Sequence, residues 1–164
     1  MSELPKQAGP VLDAARAHGL ELRVIEFPAG TSTAADAARA VGCDVAQIVK
    51  SLVFMADDRP VLVLTSGRNR VDLDKVAKQL GAARVRKADA DQARAATGFT
   101  IGGTPPFGHP ERLDVLIDED LVELDGVWAA AGTPRHVFEI ASADLVRATG
   151  GKVCDVAEPL AGTG

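Results

Sequence analysis

Residues 47–66 read QIVKSLVFMADDRPVLVLTS, two apolar runs on either side of the polar connection Ala56-Asp57-Asp58-Arg59. Such runs, rich in Val, Leu, Ile and Phe and parted by a short polar segment, predict two antiparallel strands joined as a hairpin. Residues two apart in a strand share a face, so Ile48, Lys50, Leu52 and Phe54 line one side and Val49, Ser51, Val53 and Met55 the other. Both sides are apolar, as in a strand covered on both faces. Lys50 is out of place there, because an unpaired buried ammonium costs several kcal/mol or gives up its proton. Two readings stand: an edge-strand lysine whose stem packs on the core while its head reaches water, or a lysine that serves a site.

Outward from this hairpin, helical and extended segments alternate. PVLDAARAH (10–18), with a proline near its start and Gly19 after it, predicts a short helix, and ELRVIEF (21–27) a strand. Thr33-Ala34-Ala35-Asp36 resembles a capping box opening a helix that Gly42 closes, and Asp44–Gln47 a helical turn. VDLDKVAKQLG (71–81) has Asp72 as cap, apolar residues at helical spacing and Gly81 as stop. ARVRKA (83–88) is a strand, ADQARAATG (90–98) a helix and LDVLID (113–118) a strand. VWAAAG and HVFEIA form a hairpin around Thr133-Pro134-Arg135, and SADLVRATGG (142–151) is a capped helix. Short strand-to-strand loops beside helical crossovers fit an α/β (α+β) fold with a mixed, curled or barrel-like sheet surrounded by helices better than a doubly wound parallel sheet.

A chain of 164 residues suits one domain over 1–164, with a frayed tail from about Pro159 to Gly164. At 46% hydrophobic and 25% charged it has a globular composition. Its N-terminus lacks the layout of a secretory signal and no apolar run nears the ~18 residues of a membrane span, so no membrane partner and a cytoplasmic location are expected. The two cysteines, Cys43 and Cys154, form neither a CxxC pair nor a metal spacing and read as small buried hydrophobes. A net charge of −5 argues against a protein that coats nucleic acid, and no DNA partner is expected. Within 68–87, however, seven basic residues (Arg68, Arg70, Lys75, Lys78, Arg84, Arg86, Lys87) face two acids, a local +5 that leaves −10 elsewhere. That stretch is either a solvated helix face or a patch for a polyanion.

The segment TIGGTPPFGHP (100–110) carries three glycines and three prolines without a charge. Gly102 and Gly103 leave backbone N–H groups uncovered while Pro105 and Pro106 stiffen the chain after them. The loop either presents amides to a carbonyl oxygen, as an oxyanion hole does, or is a tight connection and nothing more. His109 reads as exposed. His136 starts a strand whose same-face partners are Phe138 and Ile140, and is either a satisfied structural histidine or a substrate-positioning one. Nucleotide-binding glycine motifs, HExxH and GxSxG are all absent, and the three histidines are too scattered for a metal site.

Taken in order, TAADAARAVG (33–42), QIVKSLVF (47–54), VLVLTSGRNRVDLDKVAKQLG (61–81), GFTIGGTPPFGH (98–109), LDVLIDEDL (113–121) and VWAAAG (127–132) resemble the YbaK/EbsC family of aminoacyl-tRNA deacylases. That family includes free-standing relatives of the prolyl-tRNA synthetase editing domain, and the resemblance runs from about residue 22 to 150. It implies a trans-editing hydrolase, without metal or cofactor, that removes a wrongly attached small amino acid from the 3′ end of a tRNA, tRNA-Pro above all. It makes Lys50, Gly102 and Gly103 the catalytic set, the glycines giving amides to the aminoacyl carbonyl. Thr31, Ser51, Thr104, Pro105, Pro106, Ala131, Gly132 and His136 become the substrate-binding set. Partners implied are the aminoacylated tRNA acceptor end and an aminoacyl-tRNA synthetase that could add to the grip. Cysteine-clearing members look to have a Ser-Ala-Gly-x-Arg-Gly type segment where this chain reads Ala130-Ala131-Gly132-Thr133-Pro134-Arg135-His136, so Ala, Cys, Ser and Thr all stand as substrates. A non-catalytic aminoacyl- or nucleotide-binding module with the same cleft is the competing reading.

Overall fold

The structure, a computed structural model, describes residues 4–27 and 33–159. The decisive hairpin forms as the pattern predicts. Strand β2 (Val49–Ala56) pairs antiparallel with β3 (Arg59–Ser66), closing on the pair Ala56–Arg59 with Asp57 at φ +54° in the turn. Asp57 also receives the Ala83 and Arg84 amides on its carboxylate, at 3.3 and 3.0 Å, which ties the turn to the chain entering β4 (Val85–Lys87).

A five-stranded sheet runs β4-β2-β3-β5-β8, with β5 at Asp114–Asp118 and β8 at Lys152–Cys154. It is antiparallel from β4 to β3 and parallel from β3 to β8, hence mixed. A three-stranded antiparallel sheet runs β1-β7-β6, from Val24–Glu26, His136–Ala141 and Gly126–Ala130. One isolated parallel bridge, Ile48 to Trp128, links the two sheets, so the strand system curls without closing into a barrel.

Helix α1 (Ala8–Ala17) starts two residues before the expected Pro10. Helices α2 (Ala34–Val41), α3 (Leu73–Leu80) and α4 (Ala90–Thr97) are capped by Thr33, Asp72 and Asp89, whose side chains accept first-turn amides. A 3₁₀ turn at Val45–Gln47 leads into β2. Two short elements escape sequence reading: α5 (Glu119–Val122), a single turn, and β8, three residues with a lysine among them. Ser142 does not cap α6 (Ser142–Thr149); its hydroxyl donates to Leu124 O at 2.5 Å and the cap position falls on Ala141. The expected frayed tail lies, from Leu160 on, outside the described residues.

The two-faced hairpin is explained by what covers it. Val49, Val53, Leu62 and Leu64 pack against Val127, Ala129, Phe138 and Ile140 of the small sheet and against α1, α5 and α6. On the opposite face Phe54, Val61 and Val63 meet Val76 of α3, Leu116 and Val156. Leu62, with no exposed surface, sits at the centre of this layering. Leu62→Ala should therefore cost about 2–5 kcal/mol, lost methylenes plus the cavity they leave, read as a lower urea midpoint at unchanged slope.

Candidate active site

Strand β2 has an unfilled edge. On one side β3 pairs along its whole length; on the other, β4 reaches only Phe54–Ala56 and the small sheet only Ile48. Between them a cleft of about 550 Å³ opens, its floor the six consecutive residues Ile48 to Val53. The Val53 carbonyl accepts the Ala88 amide at 3.1 Å, so the peptide groups of the odd-numbered residues, Ser51 among them, point toward this edge. Phe27, Ala34 and Ala37 wall one end, Lys87, Ala88 and Ala93 the other. Trp128 to Ala130, Pro134 and Val137 of the small sheet, with Ile101, Gly102 and Thr104 of the glycine loop, close the sides. The walls are mostly apolar and the side chains small. The Ser51 hydroxyl is buried without a hydrogen-bond partner among the described residues.

Lys50 lies half-buried in the floor. Its Nζ donates to the Asn69 main-chain carbonyl at 2.5 Å. Register places Lys50 opposite Thr65 on β3, and one step beyond the Leu64–Ile117 pair brings Asp118 of β5 alongside Thr65. A polar row thus crosses three strands, on the face that farther along carries Phe54 and Val61. Asn69 roofs the row, sending Nδ2 to Asp118 Oδ2 at 2.8 Å and Asp120 Oδ2 at 2.7 Å. Asp118, fully buried, also accepts the Ser66 amide at 3.0 Å and the Asp120 amide at 3.0 Å. Burial pushes the Lys50 amine below the ordinary lysine range, the Arg70 guanidinium pushes it the same way, and the Asp118 carboxylate pulls against both. Sequence reading missed Asn69 and Asp118; an aspartate ending an apolar strand and an asparagine between two arginines were the available signals.

The glycine loop and the β6–β7 turn adjoin. Gly102, at φ +90°, lines the cleft 3.6 Å from Pro134, measured from where a Cβ would stand, and its N–H has no partner among the described residues. Gly103 differs: its N–H donates to Thr100 O at 3.0 Å, and a Cβ there would fall 2.8 Å from Thr133 Cα. Thr104 lines the cleft with its hydroxyl on Thr100 O at 3.2 Å. Pro105 and Pro106 are buried outside the lining. Ala131, fully buried, donates its amide to His136 O at 2.8 Å, and Gly132 abuts Gln7; neither lines the cleft. His136 is not in the lining either: its ring bridges Thr133 Oγ1 at 2.6 Å and Glu26 Oε2 at 3.0 Å, pinning the turn to β1. His109, expected exposed, packs edge-on against Phe99 with Nε2 on Pro105 O at 2.8 Å, and burial lowers its pKa. Thr31 lies outside the described residues, though Phe27 and Thr33 beside that segment line the cleft.

Of the basic stretch, Lys87 enters the lining, Arg68 and Arg70 stand exposed on either side of Asn69, and Lys75 is spent on Asp155 at 2.8 Å. Among the described residues no group of three His, Cys, Asp or Glu side chains is placed to hold a metal ion, and no helix is long and apolar enough to cross a membrane. One prediction concerns pH. Folded Lys50 releases its proton below 10.5, the ordinary value, so between those two points the unfolded chain holds more protons and stability should rise with pH. Chemical unfolding across that alkaline window, compared with Lys50→Met, reads the rise as a difference between the two proteins.

A family model described as the aminoacyl-tRNA editing domain matches residues 28–148. The uncharacterised protein YwhH of Bacillus subtilis (strain 168) is 28% identical over 123 residues, 74% of this chain and 78% of that protein. The proline–tRNA ligase of Lactobacillus helveticus (strain DPC 4571) is 32% identical over 124 residues, which are 76% of this chain but 22% of the ligase. A crystal structure of a candidate trans-editing enzyme for prolyl tRNA synthetase superposes at a TM-score of 0.90 and 44% identity, covering 96% of this chain and 100% of the other. With the match spanning both the lysine-bearing hairpin and the glycine loop, the chain belongs to the YbaK-like aminoacyl-tRNA editing domain family.

Proposed function

We propose that this protein is a trans-editing deacylase that hydrolyses the ester joining a wrongly attached small amino acid, Ala, Ser, Cys or Thr, to the 3′ end of a tRNA, tRNA-Pro first among candidates. One observation carries the reading: a half-buried ammonium and an unengaged loop amide, Lys50 and Gly102, converge on a single cleft lined by small side chains. Lys50 has two N–H donors left after Asn69 O, suited to a terminal phosphate and to positive potential near the ester. Gly102 N–H is the donor for the oxyanion that forms when water, or a hydroxyl of the substrate, attacks the carbonyl carbon. The ester C–O bond then breaks and the ribose oxygen takes the proton of the attacking group; if water attacked, the amino acid leaves as a free acid, and if a substrate hydroxyl attacked, the acyl group passes to that oxygen as a new ester that a water must then cleave. An ester is already activated, so positioning and oxyanion stabilisation can supply most of the acceleration without a protein nucleophile. Ala34, Ala37, Ala129 and Ala130 bound the space for the amino acid. Arg68, Arg70 and Lys87 supply the electrostatic approach for the acceptor end, with a synthetase as a second grip, and the reaction belongs in the cytoplasm, where tRNAs are charged.

A panel of Ala-, Ser-, Cys- and Thr-charged tRNAs tests this. The wild-type chain should release at least one of them, and Lys50→Ala should lower that rate about 100-fold or more. Silence across the panel favours a binding module instead. With two or three phosphate contacts, kcat/KM should also fall roughly 10-fold between about 50 and about 200 mM salt.

A further inference from the structure

We propose that Asn69 is the positioning residue for Lys50: its side chain, clamped between Asp118 and Asp120, fixes the main-chain carbonyl that holds the lysine ammonium in the cleft. The inference rests on the deacylase reading for its meaning and on geometry for its substance. Asn69 is 3% exposed although it lies in a loop between two exposed arginines. Its amide N–H donates to Ser66 O at 2.9 Å, its side chain meets both carboxylates through Nδ2, and its carbonyl receives Lys50 Nζ. Every polar atom used therefore either builds the turn or aims the lysine.

The residue type is set by the charges around it. An amide NH₂ has two N–H donors, one for each carboxylate; turned over, its oxygen would face two anions, so the orientation is fixed. Aspartate here would place a third carboxylate against the other two, and alanine would leave buried Asp118 with main-chain donors alone. The charged groups around Lys50 are Arg70 from the same loop, Asp118 at the end of β5, Asp120 of α5 through Asn69, and Lys87, which shares the cleft lining. Freed from Asn69 O, a four-carbon stem swings toward water and the ammonium no longer meets the ester at one fixed place.

Two measurements test the clamp. Asn69→Ala should lower kcat for deacylation roughly 10- to 100-fold with KM within about 2-fold, the mark of lost positioning rather than lost binding. Independently of activity, competitive amine labelling read by mass spectrometry across pH should show the Lys50 midpoint moving up toward that of an ordinary lysine as its head reaches water. Should Asn69→Ala fail to fold, half-buried Asp120→Ala removes one jaw of the clamp and should give the same two changes, smaller, with kcat down about 2- to 5-fold. Wild-type kcat together with an unmoved Lys50 midpoint in the folded variants would overturn the proposal. If the wild-type chain clears no ester, the deacylase reading falls and the labelling midpoint alone decides the clamp: moved supports it, unmoved overturns it.

Discussion

The constraint on which this structure turns is that a strand packed on both faces must carry a positive charge. Hydrophobic cover on either side of β2 comes from two separate clusters, and neither tolerates a bare ammonium. The fold resolves this by running a polar row across β2, β3 and β5 and capping it with one loop, so that Lys50 has a carbonyl acceptor and a carboxylate within its field. The arrangement leaves the charge incompletely satisfied, because the side chain is half-buried and Arg70 lies close by. An ammonium so placed has a reason to bind an anion and little freedom to wander, the two properties a phosphate-gripping residue needs.

Elements with periodic apolar patterns and their own start and stop signals were legible from residues alone. The β2–β3 hairpin, the Asp72 and Asp89 helices and the β6–β7 hairpin all rest on local chemistry that tertiary packing did not override. Short elements whose existence depends on a neighbour were not. β8 is a strand because β5 lies beside it, and α5 is one turn begun by the buried Asp118. The same divide separates the site. Lys50 was visible because it breaks an apolar pattern, and the glycine loop because its composition is unusual. Asn69 obeys local expectations for a polar loop residue; only its burial and its two distant carboxylates, 49 and 51 residues further along the chain, reveal it. Gly102 and Gly103 show a finer limit, since of two adjacent and identical residues one lines the cleft with its amide unengaged among the described residues and the other donates to Thr100.

The proposed anionic substrate and the acidic chain are reconciled by where the charges lie. Lys75, the basic-stretch member paired at 2.8 Å with a carboxylate, is half-buried beside Asp155, whereas Lys87 stands exposed in the cleft lining and Arg68 and Arg70 stand exposed on either side of Asn69. Local field, rather than net charge, governs the approach of a ligand that touches a few phosphates.

Three glycines around the cleft are fixed by space. A methyl on Gly103 would meet Thr133 Cα at 2.8 Å, on Gly108 the Pro10 carbonyl oxygen at 2.9 Å, and on Gly132 the Gln7 carbonyl oxygen at 2.5 Å. The first turn of α1 is thus keyed between the two loops that form the rim, like a wedge under both. Cargo joined ahead of that helix would pull directly on the architecture of the mouth, and cargo joined after Glu158 would pull on the Arg70 carbonyl, which the Glu158 amide reaches at 2.8 Å, one residue from the Asn69 clamp. For immobilisation, display or fusion, both handles therefore tug on segments that shape the cleft.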